Sequence, residues 1–359
     1  MKMRIASIPH IVDIEPLATV SPSKYTSLKN GCVYSHLAEK SLGRQSSDGL
    51  GLTMPPVSTT NIIGTIIHGI FESVSKGLLA NDEDSITAEW EKQCDIHRKR
   101  VESRFPSLRN FSVVDYDAMF DTIDIARAMG RKESSSPKSG AVFGLNEHRV
   151  EIPGLVHGSI DRIRPVAGAY DIIDYKTGKV FDDSGSIKQE YVDQLNLYAV
   201  MLERSENVSV NGLFIVDRSG KEIPVPFLRD NTDRLLADVR GILADIKDSI
   251  ADNAYDRLVN PNEQNCRFCP VQHVCRHRHA EQGAMFHIVD GIVSKIWNTD
   301  QLSLTSQSGK TVTVAKLGVL NIDGFDKLVG KHLVIVNLFC AIPDELYNRT
   351  DRTVVYERL

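Results

Sequence analysis

Two aspartates and a lysine stand in a pattern that suits metal-dependent hydrolysis of a phosphodiester. Asp161 lies in the run GSIDRI, and Asp174 lies in the run IIDYKTGK, where Lys176 follows two residues later. Alternate side chains of a strand share a face, so Asp174 and Lys176 are predicted to point the same way. Such carboxylates hold Mg²⁺ or Mn²⁺, which stabilises the attacking and leaving oxygens, while the lysine orients or deprotonates water. By itself, however, an Asp-x-Lys tripeptide is common and typical of a surface strand.

Three cysteines close together indicate a second site of metal chemistry. Cys266, Cys269 and Cys275 fall within ten residues. In a reducing compartment this spacing favours a metal over disulfides, and soft thiolates suit zinc or an iron–sulfur cluster. His277 or His279 would complete a zinc site of three cysteines and one histidine.

The elements that must position these residues form a mixed α/β pattern. Helices are predicted over 21–43, 60–79, 83–130 with breaks near Pro106 and Asp115, 188–205 and 229–252. Short β-branched or alternating runs predict strands in HRVEIPG, HGSIDRIRPV, AYDIIDYKTG and GLFIVDR. The polar stretch 131–140 is predicted to be a surface loop.

The last 75 residues have a different character. Runs rich in Val, Ile, Leu and Thr predict five strands, at 286–297, 301–306, 311–316, 332–339 and 353–357. A short helix, Asp323 to Leu328, is predicted between the third and fourth strands. This is the layout of an OB-like β-barrel. We therefore expect two domains, an α/β domain over 1–284 and a small barrel over 285–359.

Composition limits the possible partners. The net charge is −5, so any contact with nucleic acid must come from local basic patches, such as HRKR at 97–100 or the group Arg267, Arg276 and Arg278. No stretch approaches the roughly 20 apolar residues of a membrane helix, and no signal peptide is predicted at the N-terminus. The expectation is a cytoplasmic protein without a membrane partner.

The order of these runs resembles a known family. IPGLVHGSIDRI, YDIIDYKTGK and QLNLY together are similar to the RecB-like branch of the PD-(D/E)XK nucleases, which includes the AddB nucleases, the CRISPR adaptation exonucleases and the nuclease of eukaryotic Dna-two helicases. The resemblance implies that Asp161 and Asp174 are metal ligands and that Lys176 is the catalytic lysine. It also implies a Q-x-x-x-Y element at Gln194 and Tyr198. On a helix these two lie one turn apart on the same face.

The resemblance extends upstream of the aspartates. GTIIHGIFE is similar to the helical segment that carries a histidine metal ligand in this branch, and the matching residue is His68, with Gly64 one turn earlier. A lone histidine beside an isoleucine stripe is otherwise typical of a packed core. Glu147 occupies the place of a supporting acidic residue, although Glu151 is nearby and offers the same group.

The cysteine spacing also resembles this branch, where one cysteine before the core and three after it hold a [4Fe-4S] cluster. The implied ligands are Cys32, Cys266, Cys269 and Cys275, with Val33 where the family often has a proline. Cys94 and Cys340 are expected to be small buried hydrophobes. The resemblance covers residues 21–280 and not the C-terminal barrel.

The resulting hypothesis is a Mg²⁺- or Mn²⁺-dependent DNA exonuclease acting on single-stranded ends in DNA repair, recombination or anti-phage defence. The alternative is a DNA-binding or accessory subunit of a helicase or defence complex, with weak or assembly-dependent nuclease activity. No phosphate-cradling G-x-x-x-x-G-K-[ST] run occurs in this sequence, so we expect any helicase motor to be a separate polypeptide.

Overall fold

The computed structural model describes residues 5–8, 14–44, 59–105, 108, 112–134, 146–267, 269–278 and 287–358. The helices are α1 (Pro22–Asn30), α2 (Val33–Arg44), α3 (Thr60–Ser75), α4 (Glu83–Arg104), α5 (Tyr116–Ser134), α6 (Gln189–Glu206), α7 (Thr232–Ala251) and α8 (Glu263–Arg267). The first strands are β1 (Ala6–Ser7), β2 (Asn146–Ile152), β3 (Val156–Val166), β4 (Ala169–Tyr175), β5 (Val210–Val216) and β6 (Glu222–Val225). The last are β7 (His287–Asn298), β8 (Gln301–Thr305), β9 (Thr311–Ala315), β10 (His332–Ile342) and β11 (Leu346–Glu357).

The central sheet has the strand order β2-β3-β4-β5-β6. The pairs β2–β3, β3–β4 and β5–β6 are antiparallel, whereas β4 and β5 are parallel. Parallel neighbours need a long crossover connection, and helix α6 makes the crossover between β4 and β5. The sheet is therefore mixed, as predicted.

Helices cover both faces of this sheet. One hydrophobic cluster joins the sheet to α1, α6 and α7, with Ile160, Ile172 and Leu195 fully buried. A second cluster lies on the other face, where Ile173 and Tyr175 pack against α3, α4 and α5. Consecutive residues of β4 thus enter opposite clusters, which is the period-two alternation of a strand buried on both faces.

The predicted N-terminal helix is two helices. Helix α1 ends at Asn30, and α2 starts at Val33, so Cys32 lies in the break between them. A Cβ atom on Gly31 would stand only 2.4 Å from the carbonyl oxygen of Ser27. Glycine is therefore required at this turn, and the turn ends the first helix.

The C-terminal strands form a closed five-stranded barrel. Strands β11-β10-β7-β8-β9 pair in this order, and β9 pairs with β11 in parallel to close the ring. The inward side chains form their own core, which includes Val293, Leu304, Val314 and Ile335. The predicted barrel is confirmed, but its last strand starts earlier, at Leu346. Within the helix predicted over Asp323 to Leu328, the structure has only the short 3-10 turn Phe325–Lys327, and a second 3-10 turn, Gly318–Leu320, precedes it.

Strand pairing and a shared hydrophobic cluster both join the barrel to the rest of the fold. Strand β1 pairs with β11 in parallel, so residues near the N-terminus extend the barrel sheet. In addition, Val334, Val336 and Tyr356 of the barrel belong to the hydrophobic cluster built by α3, α4 and α5. The predicted division at 284/285 lies outside the described residues.

Three smaller features complete the fold. Strand β6 was not predicted, and it is a short edge strand that contains Pro224, a residue that edge positions tolerate. Helix α5 continues to Ser134, into the stretch predicted as a loop. Among the described residues, no helix combines the length and apolar character needed to cross a bilayer.

Candidate functional site

Three carboxylates lie side by side across neighbouring strands. The register of β2 against β3 places Glu147 beside Asp161, and the register of β3 against β4 places Asp161 beside Asp174. Side chains that are directly opposite in antiparallel strands share a face and stand close together. Strand pairing therefore gathers into one row residues that are well separated in the chain.

His68 reaches this row from helix α3. Its Nδ1 atom lies 3.7 Å from Oδ2 of Asp161. One ligand atom from each of His68, Glu147 and Asp161 falls within 4.8 Å of the others. Among the described residues, these three form the single group of histidine, cysteine or acidic side chains that converge this closely. One imidazole nitrogen and two carboxylate oxygens suit a divalent cation such as Mn²⁺.

Hydrogen bonds hold two of these carboxylates in place. The backbone N–H of Tyr175 donates to Oδ2 of Asp161 at 2.8 Å, and the hydroxyl of Ser159 donates to Oε2 of Glu147 at the same distance. Glu147 also has a positive φ of 52°, a left-handed conformation that is unusual for a residue with a side chain. Such backbone strain is concentrated at functional sites in proteins.

The electrostatics of this group favour the binding of a positive charge. Burial raises the pKa of Asp161 well above its usual value, and the neighbouring charge of Asp174 raises it further. Burial lowers the pKa of His68, which favours the neutral imidazole that binds metals. A divalent cation at this point would stabilise the ionised carboxylate, so the donor set fits a metal ion.

Asp174 makes different contacts from the other two carboxylates. Its Oδ2 atom lies 2.7 Å from Nζ of Lys176, and its Oδ1 atom accepts a hydrogen bond of 3.1 Å from the amide nitrogen of Gln194. The amide oxygen of Gln194 in turn accepts from Nζ of Lys176 at 3.1 Å. Burial alone would lower the pKa of Lys176, but its contacts with Asp174 outweigh burial and raise it. The lysine is therefore protonated in this arrangement.

One face of helix α6 lines the site. Gln194 and Tyr198 both lie on it, as their spacing predicts, and the pKa of Tyr198 is raised by burial and then by the charges of Asp174 and Asp161. Tyr191 lies on the same face and was missed by the sequence reasoning. Its ring centroid is 4.9 Å from Nζ of Lys176, a cation–π contact. Its position three residues before Gln194 was the available signal.

Four cysteines meet at a separate cavity. Its lining includes the four that the family resemblance implies, namely Cys32, Cys266, Cys269 and Cys275. Cys32 comes from the break between α1 and α2, and the others come from α8 and the segment after it. The cavity therefore joins segments more than two hundred residues apart. His277 also lines it, whereas His279 lies outside the described residues.

The chemistry of these sulfur atoms fits a thiophilic metal group. Burial raises the pKa of Cys269 to about 12, and the nearby Cys275 and Cys32 add to the shift. The N–H of Val271 and the hydroxyl of Ser35 donate hydrogen bonds to Cys269, and burial likewise raises the pKa of Cys275. Buried thiols of this kind become thiolates when a metal replaces their protons.

The remaining predicted positions are also located. Glu151, the alternative to Glu147, is exposed and lies outside the converging group. Gly64 faces Oγ1 of Thr177, but a Cβ there would be 3.5 Å away, an ordinary contact, so a glycine is not required. In the basic patch at 97–100, Arg98 and Lys99 both pair with Asp95 and form a solvated helix face.

Comparison with known proteins agrees with this geometry. No curated protein matches the chain. The sequence profile of the PD-(D/E)XK nuclease superfamily matches residues 19–276, which include every element of the central sheet and its flanking helices. The matched region holds the row of carboxylates, His68, Lys176 and the four cysteines of the cavity. On this match, which covers well over half of its length, the chain belongs to the PD-(D/E)XK nuclease superfamily.

Proposed function

We propose that the protein is a Mg²⁺- or Mn²⁺-dependent deoxyribonuclease that degrades DNA from single-stranded ends. The observation that carries the proposal is the convergence of His68, Glu147 and Asp161 beside the Asp174–Lys176 pair. Metal-dependent phosphodiester hydrolysis uses a cation at the phosphate, a nearby positive side chain adds charge stabilisation, and this arrangement offers a place for the cation and the positive side chain. Membership of the superfamily supports the reaction class, while DNA and the free end come from the resemblance to the RecB-like branch.

The cation would be held by His68, Glu147 and Asp161, with Asp174 able to join once its contact with Lys176 opens. A divalent ion there supplies a nucleophilic water and charge stabilisation at the phosphate. Glu147 and Asp161 are held by Ser159 and by the backbone of Tyr175, so they need little rearrangement to bind it.

The residues around Lys176 act on the substrate. The protonated ammonium group stabilises the negative charge that builds on the phosphate oxygens during attack. Gln194 fixes the ammonium group by accepting its hydrogen bond, and Tyr191 covers it from one side. Tyr198 keeps its proton because its pKa is raised, so its hydroxyl is available as a hydrogen-bond donor.

A [4Fe-4S] cluster held by Cys32, Cys266, Cys269 and Cys275 is the second part of the proposal. Tetrahedral zinc binds thiolates at about 2.3 Å, which brings the sulfur atoms to roughly 3.8 Å from one another. Within the described residues, no three cysteine or histidine ligand atoms lie within 4.8 Å of one another. The wider spacing favours a cluster, which would tie the N-terminal helices to the segment after α8.

Metal analysis of anaerobically purified protein tests the cluster. A brown protein with broad visible absorption and about four iron atoms per chain is expected. Colourless protein that carries one zinc ion per chain would instead establish the Cys3His alternative with His277 or His279.

End-labelled single-stranded and double-stranded DNA test the nuclease, with Mg²⁺, with Mn²⁺ and with a chelator. We expect linear single strands to lose their label, and to do so only when metal is present. A covalently closed single-stranded circle is the matched substrate without an end, and its survival would establish dependence on ends. Lys176→Met protein, purified in parallel, controls for contaminating nucleases. Cleavage by that variant at the wild-type rate would contradict the proposal.

A further inference from the structure

A groove lies between residues 274–278, which we call the cysteine segment, and the C-terminal barrel. Its volume is about 750 Å³, and it lies apart from the row of carboxylates. Residues 274–278, which contain Cys275 of the four-cysteine cavity, form one wall. The other wall consists of barrel residues from β7, from the turn between β8 and β9, and from β10 and β11. Neither the superfamily match nor the resemblance assigns a role to this groove.

The groove is positively charged although the protein as a whole is acidic. The described lining contains four cationic side chains, Arg276, Arg278, Lys310 and Arg358, and two carboxylates, Asp290 and Asp344. The formal surplus is therefore two positive charges, on a chain whose net charge is −5. A concave surface of one sign concentrates the field and attracts ligands of opposite charge.

Asp290 holds two of these arginines in fixed positions. Its Oδ2 atom accepts hydrogen bonds of 3.0 Å from Arg278 and from Arg358, and its Oδ1 atom lies 2.6 Å from Nε2 of His332. Arg278 also donates to the backbone carbonyl of Cys275 at 3.3 Å. Guanidinium groups that are already oriented lose little conformational entropy when they bind an anion.

Arg276 and the β8–β9 turn supply further contacts. Arg276 is exposed in the groove, and the described part of the chain records no acidic partner for it. Ser306, Gln307 and Ser308 line the opposite wall with neutral hydrogen-bonding groups. Arginines combined with serine and glutamine side chains are typical of contacts to a nucleic-acid backbone, because phosphate oxygens only accept hydrogen bonds.

We propose that this groove binds the phosphodiester backbone of a single-stranded nucleic acid and so makes the barrel part of the substrate-binding surface. The inference rests on the proposed nuclease function. The volume falls within the roughly 300–1,000 Å³ of small-ligand pockets, which accommodates a few nucleotides of one strand but not a duplex. Val274 and Ile288 at the groove pack against the same hydrophobic cluster as Tyr175, the neighbour of Lys176. The groove thus rests on the same hydrophobic cluster as Tyr175, a residue of the strand that carries Asp174.

Point variants of the full chain test the groove. Truncation is unsuitable, because it would remove barrel residues from the hydrophobic cluster built by α3, α4 and α5. The groove variants are Arg276→Gln, Lys310→Gln and the double variant. Arg240→Gln on α7 and Lys316→Gln on the barrel are matched controls, because both residues are exposed and neither lines the groove. Circular dichroism and thermal melting verify that all variants are folded.

Affinity is measured by the fluorescence anisotropy of a fluorescein-labelled single strand, in a chelator that prevents cleavage. The strand has about 20 nucleotides, longer than the roughly 4–16 that one OB-fold covers. Each groove variant should bind about three- to tenfold more weakly. The slope of log affinity against log salt should become shallower by about 0.7 for each phosphate that the variant no longer neutralises. The controls should match the wild type.

The outcomes separate this inference from the proposed function. Groove variants that bind the strand as tightly as the controls would overturn the inference, and the groove would then fit an acidic protein segment instead. Metal-dependent cleavage would still stand in that case. Groove-dependent binding by a protein that cleaves no strand with any metal would support the groove and refute the nuclease.

Discussion

Nζ of Lys176 lies 2.7 Å from Oδ2 of Asp174, so the two charged residues of the Asp-Tyr-Lys tripeptide neutralise each other at the end of β4. Both side chains are largely buried: 4% of the Asp174 side chain and 18% of the Lys176 side chain are exposed. In a charged pair this far from solvent, removal of one partner is costly because it leaves the other charge buried and uncompensated. The pair therefore connects the chemistry of the site to its stability.

Lys176→Met should lower the rate of DNA cleavage by about 10²–10³-fold, the usual loss when one group that stabilises transition-state charge is removed. The measurement is the initial rate of metal-dependent cleavage under saturating substrate. Lys188→Met is the matched control, because Nζ of Lys188 also lies over the ring of Tyr191, at 5.6 Å, but does not contact Asp174. Equal losses in the two variants would show that Lys176 has no special role.

Asp161→Asn and Glu147→Gln should each weaken Mn²⁺ binding by more than about tenfold, because each removes a charged ligand from the group around His68. Isothermal titration calorimetry on the protein without DNA measures this directly. Glu151→Gln is the control, since Glu151 is exposed on the same strand as Glu147 but outside the group. Unchanged affinity in both ligand variants would place the cation elsewhere.

Gly158→Ala should reduce both stability and activity. The added Cβ would lie 2.8 Å from Cε1 of Tyr198 and 3.1 Å from Cδ of Pro22, so the tyrosine must move. Overpacking of this kind costs about 1–3 kcal/mol. Gly241→Ala is the control, because no atom lies within 4 Å of its added Cβ, and alanine in a helix should raise stability by up to about 1 kcal/mol. Denaturant unfolding and the cleavage rate are measured together.

If the proposed cluster is bound, Cys266→Ser and Cys32→Ser should each remove its iron and lower the free energy of unfolding by about 4–5 kcal/mol, by analogy with the loss of a long-loop disulfide. The controls are Cys94→Ser and Cys340→Ser. Sγ of Cys94 donates to the carbonyl of Val113, a bond that serine can retain, and neither control residue lines the cysteine cavity. Iron content and melting temperature are measured anaerobically. Full iron content in the Cys32 variant would exclude that residue as a ligand.

Asp290→Asn should destabilise the contact between the cysteine segment and the barrel by about 1–3 kcal/mol near neutral pH, because it removes the charge that Arg278 and Arg358 share. Burial would raise the pKa of Asp290, but Arg278, His332 and Arg358 outweigh burial and lower it. The folded state therefore binds fewer protons than the unfolded state. The stabilisation is complete above the ordinary pKa of about 4 and is lost as the pH falls through the lower folded value.

Urea unfolding at a series of pH values tests this dependence. The wild type should lose stability below about pH 4, whereas Asp290→Asn should lose less over the same range because its contribution is already absent. Asp326→Asn changes an exposed carboxylate on the same barrel and serves as the control. Parallel pH profiles for the wild type and Asp290→Asn would contradict the assigned role.

Much of the site could be predicted from local sequence. The alternation in IIDYKTGK predicts a strand that carries Asp174 and Lys176 on one face, and the four-residue spacing of Gln194 and Tyr198 predicts a shared helix face. Strand and helix periods depend on neighbours within a few residues, so such patterns are legible without the fold. The barrel strands were predictable for the same reason.

Edge strands and helix ends were harder to predict from the sequence. Strand β6 has four residues and a proline, so it shows no alternation long enough to recognise. At Gly31 a side chain would clash with the carbonyl of Ser27, and only the folded backbone shows that clash. The glycine itself does not predict the break, because isolated glycines also occur inside helices. These features depend on backbone geometry that the residue types alone do not specify.

The tertiary structure decided which groups meet. The pairing of β2 with β3 places Glu147, and not Glu151, beside Asp161, since one register step in a sheet changes every neighbour. Packing of α6 on the sheet brings Tyr191 over Lys176, and docking of the barrel turns Arg276 and Lys310 into opposite walls of one groove. Residue types and spacing determined the chemistry available to this chain. The partners of each side chain follow from contacts between segments far apart in sequence, whose free energy depends on the packing of the whole fold.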